Sequence, residues 1–409
     1  MSAAPSAPTL LLTRLTGADR CCATADREER ARELLAPVLE GGRYGITEVR
    51  LSTKSFSDDS VKILADTLSK LPSLTIADMD DIISGRMDAE ALRVIEAVAT
   101  SLKGKKLVQF NASDNAFGPR GLVACKPAIV GALDTLERAY FCNNGLSEHA
   151  GKLMTEIFLA KGPSNLKLLH VHNNMLGEGG AKNISPLVKQ APHLEDFRFS
   201  TTRVPQAGGA VLGAALGSAT KLKRLNLSDN TYGIDGATAL AGSLANMPAM
   251  EWLNLCDTGL TEDGAVLCIK ATHGMKSLTS LNLAGNEMTE DAMEPLIECL
   301  RLHTGLVELI LDDNELEDGG VQALAEFLDE GEGVLPKLTT LSLCFNEMHS
   351  SGAKAVAAAV ADTGVRKVGE LRLNGNAIGP KGLASMQSTL GDRLHDDFED
   401  NEDASDDDE

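Results

Sequence analysis

Two histidines stand closest to a recognisable piece of chemistry, because His170 and His172 flank Val171 in a short apolar run. Alternate residues of a strand share a face, so both imidazoles are expected on the same side of any sheet that holds this run. A metal site is one reading, and two solvated imidazoles are the favoured one. Cysteines offer less. Eight are present at irregular separations, including adjacent Cys21 and Cys22, and they match neither a disulfide framework nor a C-x-x-C zinc pattern. Reduced thiols are expected. The chain carries no G-x-x-x-x-G-K-[ST] phosphate loop, no G-x-S-x-G nucleophile elbow and no H-E-x-x-H zinc motif. No cofactor or metal site is therefore expected.

The elements that must position any functional group follow from an internal repeat. The template L-x-x-L-x-L-x-x-N-x-L fits Leu222 to Tyr232 as LKRLNLSDNTY, Leu278 to Met288 as LTSLNLAGNEM, Leu306 to Leu316 as LVELILDDNEL and Val368 to Ile378 as VGELRLNGNAI. With the template Asn as reference, twelve units place it at Lys54, Ile82, Asn115, Asn144, Asn174, Thr202, Asn230, Thr258, Asn286, Asn314, Asn346 and Asn376. Successive references are 28 to 33 residues apart, and most steps are 28. Each L-x-L is expected to be a short strand, with the Asn bonding backbone groups of the following turn and a helix returning the chain. Val321, Leu324 and Leu328 supply the apolar face of one such helix. The fold class is α/β, a leucine-rich-repeat horseshoe with parallel strands on the concave face and helices on the convex one. Cys142, Cys256 and Cys344 share the position two residues before the reference but lie three and four repeats apart. Stacking separates them by roughly 15–20 Å, too far for a disulfide, so isolated concave-face thiols are expected.

Composition agrees with this architecture and limits the partners. Only 3% of residues are aromatic against 43% hydrophobic, so the core must be aliphatic, as in repeat arrays. A formal net charge of −21 argues against direct nucleic-acid binding and favours a basic protein partner. Asp392 to Glu409 holds eleven acidic residues and one Arg, so 11 − 1 = 10 of those charges sit in the last eighteen residues. A disordered acidic tail over 391–409 is expected, after a repeat domain over 46–390 and an N-terminal cap region over 1–45 with a helix around Glu29 to Leu39. Leu10 to Leu12 is too short an apolar stretch for a signal peptide or membrane span, and a cytosolic location is expected.

A more specific signal lies in the turns. Ser84 to Arg86 reads SGR, Ser113 to Pro119 reads SDNAFGP and Asn143 to Leu146 reads NNGL, and in this order and spacing they resemble the Ran GTPase-activating proteins. His170 to Leu176, HVHNNML, and Phe197 to Val204, FRFSTTRV, are most similar to the plant branch of that family. The resemblance runs from about residue 45 to 409, acidic tail included. Plant members usually carry an N-terminal domain for nuclear-envelope attachment, for which the short N-terminus here has no room. The resemblance implies a partner, Ran in its GTP form, together with Ran-binding proteins, and a cytoplasmic or perinuclear location in support of nucleocytoplasmic transport. It implies an activator of the partner's catalytic site that is no enzyme in its own right. Asn143 matches the functional Asn, which orders the GTPase's own catalytic Gln and a nearby Tyr without touching phosphate. Arg86 matches an interface Arg, and Asp114 falls within the partner-binding turn.

Placement on the template agrees with that assignment. Asn143 precedes Asn144 by one, so Asn144 takes the structural turn role and leaves Asn143 to face outward. Arg86 lies four residues past its own reference, two repeats away, at about 10 Å by strand spacing. Without the resemblance, Asn143 would read as a spare turn residue and Arg86 as a solvated charge. Glu262, Glu290 and Asp318 each lie four residues past the reference in consecutive units. Stacked, they form either an acidic ridge that steers a basic partner or a merely solvated edge. A non-catalytic leucine-rich-repeat scaffold or inhibitor remains the alternative function, since repeat folds of this kind serve many roles.

Overall fold

The computed structural model describes residues 13–14, 27–40, 45–331, 333–361 and 368–394. It divides into two compact units, Met1–Leu194 and Glu195–Glu409. In the first, strands β1 (Thr13–Arg14), β2 (Glu48–Arg50), β3 (Ile76–Asp78), β4 (Gln109–Asn111), β5 (Arg138–Tyr140) and β6 (Leu168–His170) alternate with helices α1 (Arg27–Glu40), α2 (Ser60–Ser69), α3 (Asp88–Ser101), α4 (Gly118–Ala132), α5 (Glu148–Leu159) and α6 (Gly177–Lys189). Each of these strands pairs in parallel with the next in chain order. In the second unit, strands β7 (Asp196–Arg198), β8 (Arg224–Asn226), β9 (Trp252–Asn254), β10 (Ser280–Asn282), β11 (Glu308–Ile310), β12 (Thr340–Ser342) and β13 (Glu370–Arg372) form a second parallel run. Helices α7 (Gln206–Leu216), α8 (Gly233–Leu244), α9 (Thr261–Ala271), α10 (Met293–Leu300), α11 (Glu317–Asp329), α12 (Ser350–Ala361) and α13 (Pro380–Leu390) alternate with them.

The expected α/β repeat is present in both units. Each of the twelve template positions has its strand, and the strand always spans the sixth to fourth residues before the reference. The central strand residue points at the helices and is buried: Val49, Ala77, Phe110, Ala139 and Leu169 in the first unit, and Phe197, Leu225, Leu253, Leu281, Leu309, Leu341 and Leu371 in the second, all at most 2% exposed. Opposite them, Val321, Leu324 and Leu328 of α11 are buried as their spacing predicts. Each fully buried Leu contributes about 2 kcal/mol through apolar area removed from water. Among the described residues of the N-terminal region, β1 pairs in parallel with β2 and α1 lies next to α2.

The template Asn is the internal clamp of each turn, and its bonds run backward along the array rather than only into its own turn. Asn174 Oδ1 accepts from the N–H groups of Asn144 (3.0 Å) and Leu146 (2.9 Å) of the preceding repeat. Its Nδ2 donates to Phe141 O (3.0 Å) and Val171 O (2.8 Å). Asn115, Asn144, Asn286, Asn314 and Asn376 make equivalent bonds. These side chains are buried, and a buried amide is tolerated when its donors and acceptor are met. Thr202 and Thr258 replace Asn with a shorter hydroxyl that donates to its own strand end, to Phe199 O (2.9 Å) and Leu255 O (2.6 Å).

A second regularity concerns the residue just before the reference. Its φ is positive in all twelve units, at Thr53, Asp81, Asp114, Asn143, Asn173, Thr201, Asp229, Asp257, Gly285, Asp313, Phe345 and Gly375. Asn, Asp and Gly occupy nine of these positions, which are the types that enter the left-handed region at least cost. The repeat thus has its own reason to place Asn at 143. Residue type alone does not mark a site there.

Past Leu390 the chain continues through a short turn to Leu394, which bridges to Leu371, and Arg393 Nη1 donates to Val360 O at 3.3 Å. The remainder of the acidic tail lies outside the described residues.

Candidate functional site

Arg86, Asp114 and Asn143 occupy the turns that leave β3, β4 and β5, one in each of three adjacent repeats at the carboxyl edge of the strands. Arg86 follows Gly85, whose φ of +75° lets the chain reverse before α3. Its Nε donates to Ser55 Oγ at 3.1 Å, and Ser55 Oγ in turn donates to Ser84 O at 2.6 Å. The guanidinium is therefore anchored on the preceding repeat and only half exposed, which differs from a freely solvated charge. It lines a cleft of about 480 Å³, with Ile83, Gly85, Asp114, Phe117 and Arg120 among the other walls. Arg120 pairs with Asp88 at 3.2 Å on the exposed rim.

Asn143 is exposed, while Asn144 beside it is fully buried. The division of labour expected of the pair is thus present in their surroundings: Asn144 clamps Asn115 N and Ala112 O, and Asn143 presents its side chain at the surface. The Asn143 side chain is also held. Its Nδ2 donates to Asp114 Oδ1 at 2.8 Å. Backbone bonds fix both residues, with Asp114 N donating to Cys142 O (2.9 Å) and Asn143 N donating to His172 O (3.1 Å). Asp114 consequently belongs both to the wall of the Arg86 cleft and to the seat of Asn143, and the three residues form one constellation.

Glu262, Glu290 and Asp318 lie in the second unit, and their carboxylates are engaged with the next repeat. Glu262 accepts from Thr289 N at 2.9 Å and from the Thr289 hydroxyl. Asp318 Oδ1 accepts from His349 N and Gly352 N, both at 2.9 Å, and its Oδ2 accepts from Ser351 Oγ at 2.6 Å. Asp318 thereby caps the start of α12, where unpaired amides and the helix dipole favour a negative group. Glu290 packs so closely on Gly319 that a Cβ there would sit 2.0 Å from its Oε2. A solvated edge does not describe Glu262 and Asp318, which are half-buried links between repeats.

The histidine expectation needs correction. His170 and His172 do share a face, with ring centroids 5.9 Å apart and Val171 buried. His170 is not solvated, being 6% exposed and meeting the Tyr140 ring edge-on at 5.1 Å, whereas His172 is half-buried, with Nδ1 3.3 Å from Cys142 Sγ. The large aromatic neighbour in β5 covers His170, a feature visible in the sequence only once register is known. No group of three or more metal-binding side chains occurs among the described residues. Cys142, Cys256 and Cys344 are free thiols, with Cys142 buried and the other two lining one cleft of the strand face. Burial pushes the Cys142 thiol up to about 11 and that of Cys256 up to about 12, so neither is a nucleophile at neutral pH.

Strand–turn–helix units stacked in parallel and clamped by a buried Asn ladder define a leucine-rich-repeat protein. Residues 218–241, 274–296, 304–325 and 334–357 match the family model described as Leucine Rich repeat. Its curated homologues are Ran GTPase-activating proteins of plants and animals. The chain is 38% identical over 114 residues to RAN GTPase-activating protein 1 of Arabidopsis thaliana, a match covering 28% of this chain and 21% of that one. It is 34% identical over 113 residues to RAN GTPase-activating protein 2 of the same plant, covering 27% and 20%. With Ran GTPase-activating protein 1 of Xenopus laevis the identity is 27% over 166 residues, covering 38% of this chain and 29% of the relative. The chain thus spans about a fifth of the length of the plant relatives it matches. Among solved structures, an internalin from Listeria monocytogenes superposes with a TM-score of 0.53 at 16% identity, covering 89% of this chain and 93% of that one, a likeness of fold alone. Among the described residues, no helix is long and apolar enough to cross a membrane.

Proposed function

We propose that this chain is a GTPase-activating protein for Ran, acting on Ran in its GTP form. The observation that carries the reading is the Asn143–Asp114–Arg86 constellation, an exposed carboxamide anchored on Asp114, which in turn shares a cleft with the half-buried Arg86 guanidinium. The homologues' names and the turn motifs that hold these residues support it.

In this reading the chain contributes no nucleotide site and is not itself the enzyme. Asn143 holds the partner's catalytic Gln and a nearby Tyr in the arrangement that aligns the attacking water, which is catalysis by positioning. Such a contact matters most in the transition state and raises the maximal rate. Arg86 binds the partner's surface and leaves the phosphate alone, unlike the inserted arginine of many other activators. Its anchorage on Ser55 favours a fixed contact over an inserted finger. Glu262, Glu290 and Asp318 are part of the array's own links, and their charge adds to a field that draws in a basic partner. Action belongs in the cytoplasm, including its perinuclear region, with Ran-binding proteins as further partners and nucleocytoplasmic transport as the process served.

The test is phosphate release from Ran loaded with GTP, run beside an unrelated small GTPase under single-turnover conditions. Acceleration for Ran alone is the expected result. Binding of Ran–GTP without acceleration would make the chain a non-catalytic scaffold.

A further inference from the structure

We infer that Asp114 is a positioning residue for Asn143, and that it fixes which atom of the Asn143 carboxamide meets the partner. The inference rests on the reading of Asn143 as the group that orders the partner's catalytic side chains. An Asn side chain is nearly symmetric in shape, and its two ends carry opposite hydrogen-bonding character: Oδ1 only accepts and Nδ2 only donates. A free Asn143 at the surface would sample both presentations and pay for the choice on binding. Asp114 removes the choice. An ionised carboxylate is acceptor-only, so the side-chain end that faces it must be the amide NH₂. With Nδ2 donating to Asp114 Oδ1 at 2.8 Å, Oδ1 of Asn143 is turned to the other side.

Rigid backbones make the arrangement hold. Both residues occupy the left-handed region, with φ of +59° at Asp114 and +51° at Asn143, and each amide N–H donates to a carbonyl of the following repeat. Asn115 and Asn144, the next residues, are buried clamps joined by the bond from Asn115 N to Asn144 Oδ1 at 3.0 Å. Two side chains mounted on adjacent rigid turns lose little entropy in bonding to each other, so the carboxamide is oriented before the partner arrives. The exposed Oδ1 then requires donors on the partner: a carboxamide NH₂, a hydroxyl or a backbone N–H. A partner group that is only an acceptor has nothing to bond.

Asp114→Ala, Asp114→Asn and Asn143→Ala, with the double variant Asp114→Ala/Asn143→Ala, test this on the full chain with Ran–GTP. Asp114→Ala is expected to lower the saturating single-turnover rate about fivefold, to change the half-saturating concentration less than about twofold, and to lower the melting temperature by no more than about 3 °C, the cost of Ala in the left-handed region. A purely structural role would lower the melting temperature further, and a purely adhesive role would move the half-saturating concentration. Asp114→Asn, whose side chain can turn either end to Asn143, is expected to fall between wild type and Asp114→Ala. The double variant should be no slower than Asn143→Ala alone, because Asp114 acts through Asn143. A wild-type saturating rate for Asp114→Ala, beside a crippled Asn143→Ala, overturns the inference and leaves the proposed function standing. If wild type fails to stimulate Ran, the proposed function falls first.

Discussion

At residue scale, neighbours one position apart in sequence have opposite fates. Asn143→Ala removes an exposed group whose backbone is held independently, so the variant should fold normally, bind Ran–GTP, and stimulate hydrolysis at least about tenfold less at saturation, a loss of about 1.4 kcal/mol or more in the transition state. Asn144→Ala strips the partners from Asn115 N and Ala112 O inside the array and should cost about 2 kcal/mol or more, read as a lowered melting temperature. Arg86→Ala should act chiefly on affinity, with much of the rate recovered by raising its concentration; no recovery at saturation would refute the interface role. A separate pH dependence comes from His303, which is fully buried with Nε2 3.0 Å from Thr272 Oγ1. Burial pushes its pKa down from an ordinary 6.5 to about 4, so the folded chain keeps it neutral where the unfolded chain would take up a proton. Its contribution is complete above about pH 6.5 and is lost as pH falls toward 4, on the order of 3 kcal/mol at most. His303→Gln should flatten the melting temperature's pH dependence across that window.

At the scale of strands, turns and helices, the sequence pattern was legible because one physical demand recurs. The L-x-L core must bury one residue in two, and the amide that follows must clamp two repeats, so Leu and Asn return at fixed steps. Even Lys54 and Ile82, where the Asn is missing, were placed correctly by spacing, and Ile82 N finds its acceptor in Asn115 Oδ1 at 2.9 Å. Bonds between repeats were not legible. The left-handed residue before each clamp shows as a column of Asn, Asp and Gly, a signal available in the sequence and easily read as polar turn composition. The Asn143–Asp114 bond spans 29 positions, and only register brings its ends together. Asp318 likewise looked like surface charge, yet it caps a helix 32 residues on. Asp318→Ala should cost about 1 kcal/mol and speed hydrogen exchange at the first turn of α12, while exchange in α8 stays unchanged.

At the scale of the whole molecule, charge is distributed unevenly. Ten acidic side chains follow Leu394, the last described residue, which bridges to Leu371. Truncation after Leu394 should leave the melting temperature nearly unchanged and reduce the salt dependence of association with a basic partner. Cutting after Leu390 should cost more, since it also removes Leu394 and Arg393 from their places on β13 and α12.

The hydrogen bonds between repeats have a direction, and in the second unit two sets run against each other. Clamp oxygens such as Asn314 Oδ1 serve amides of the repeat before, and carboxylates such as Asp318 serve amides of the repeat after. The repeat that carries Asn314 and Asp318 therefore supplies acceptors to both of its neighbours. Excising it would leave unmet donors on both sides of the cut, unless the flanking repeats bring the same exchange into register. Deletion of a repeat should therefore be best tolerated in whole strand-to-strand steps between units that carry the same clamp and cap, with a smaller fall in melting temperature than a cut at any other register.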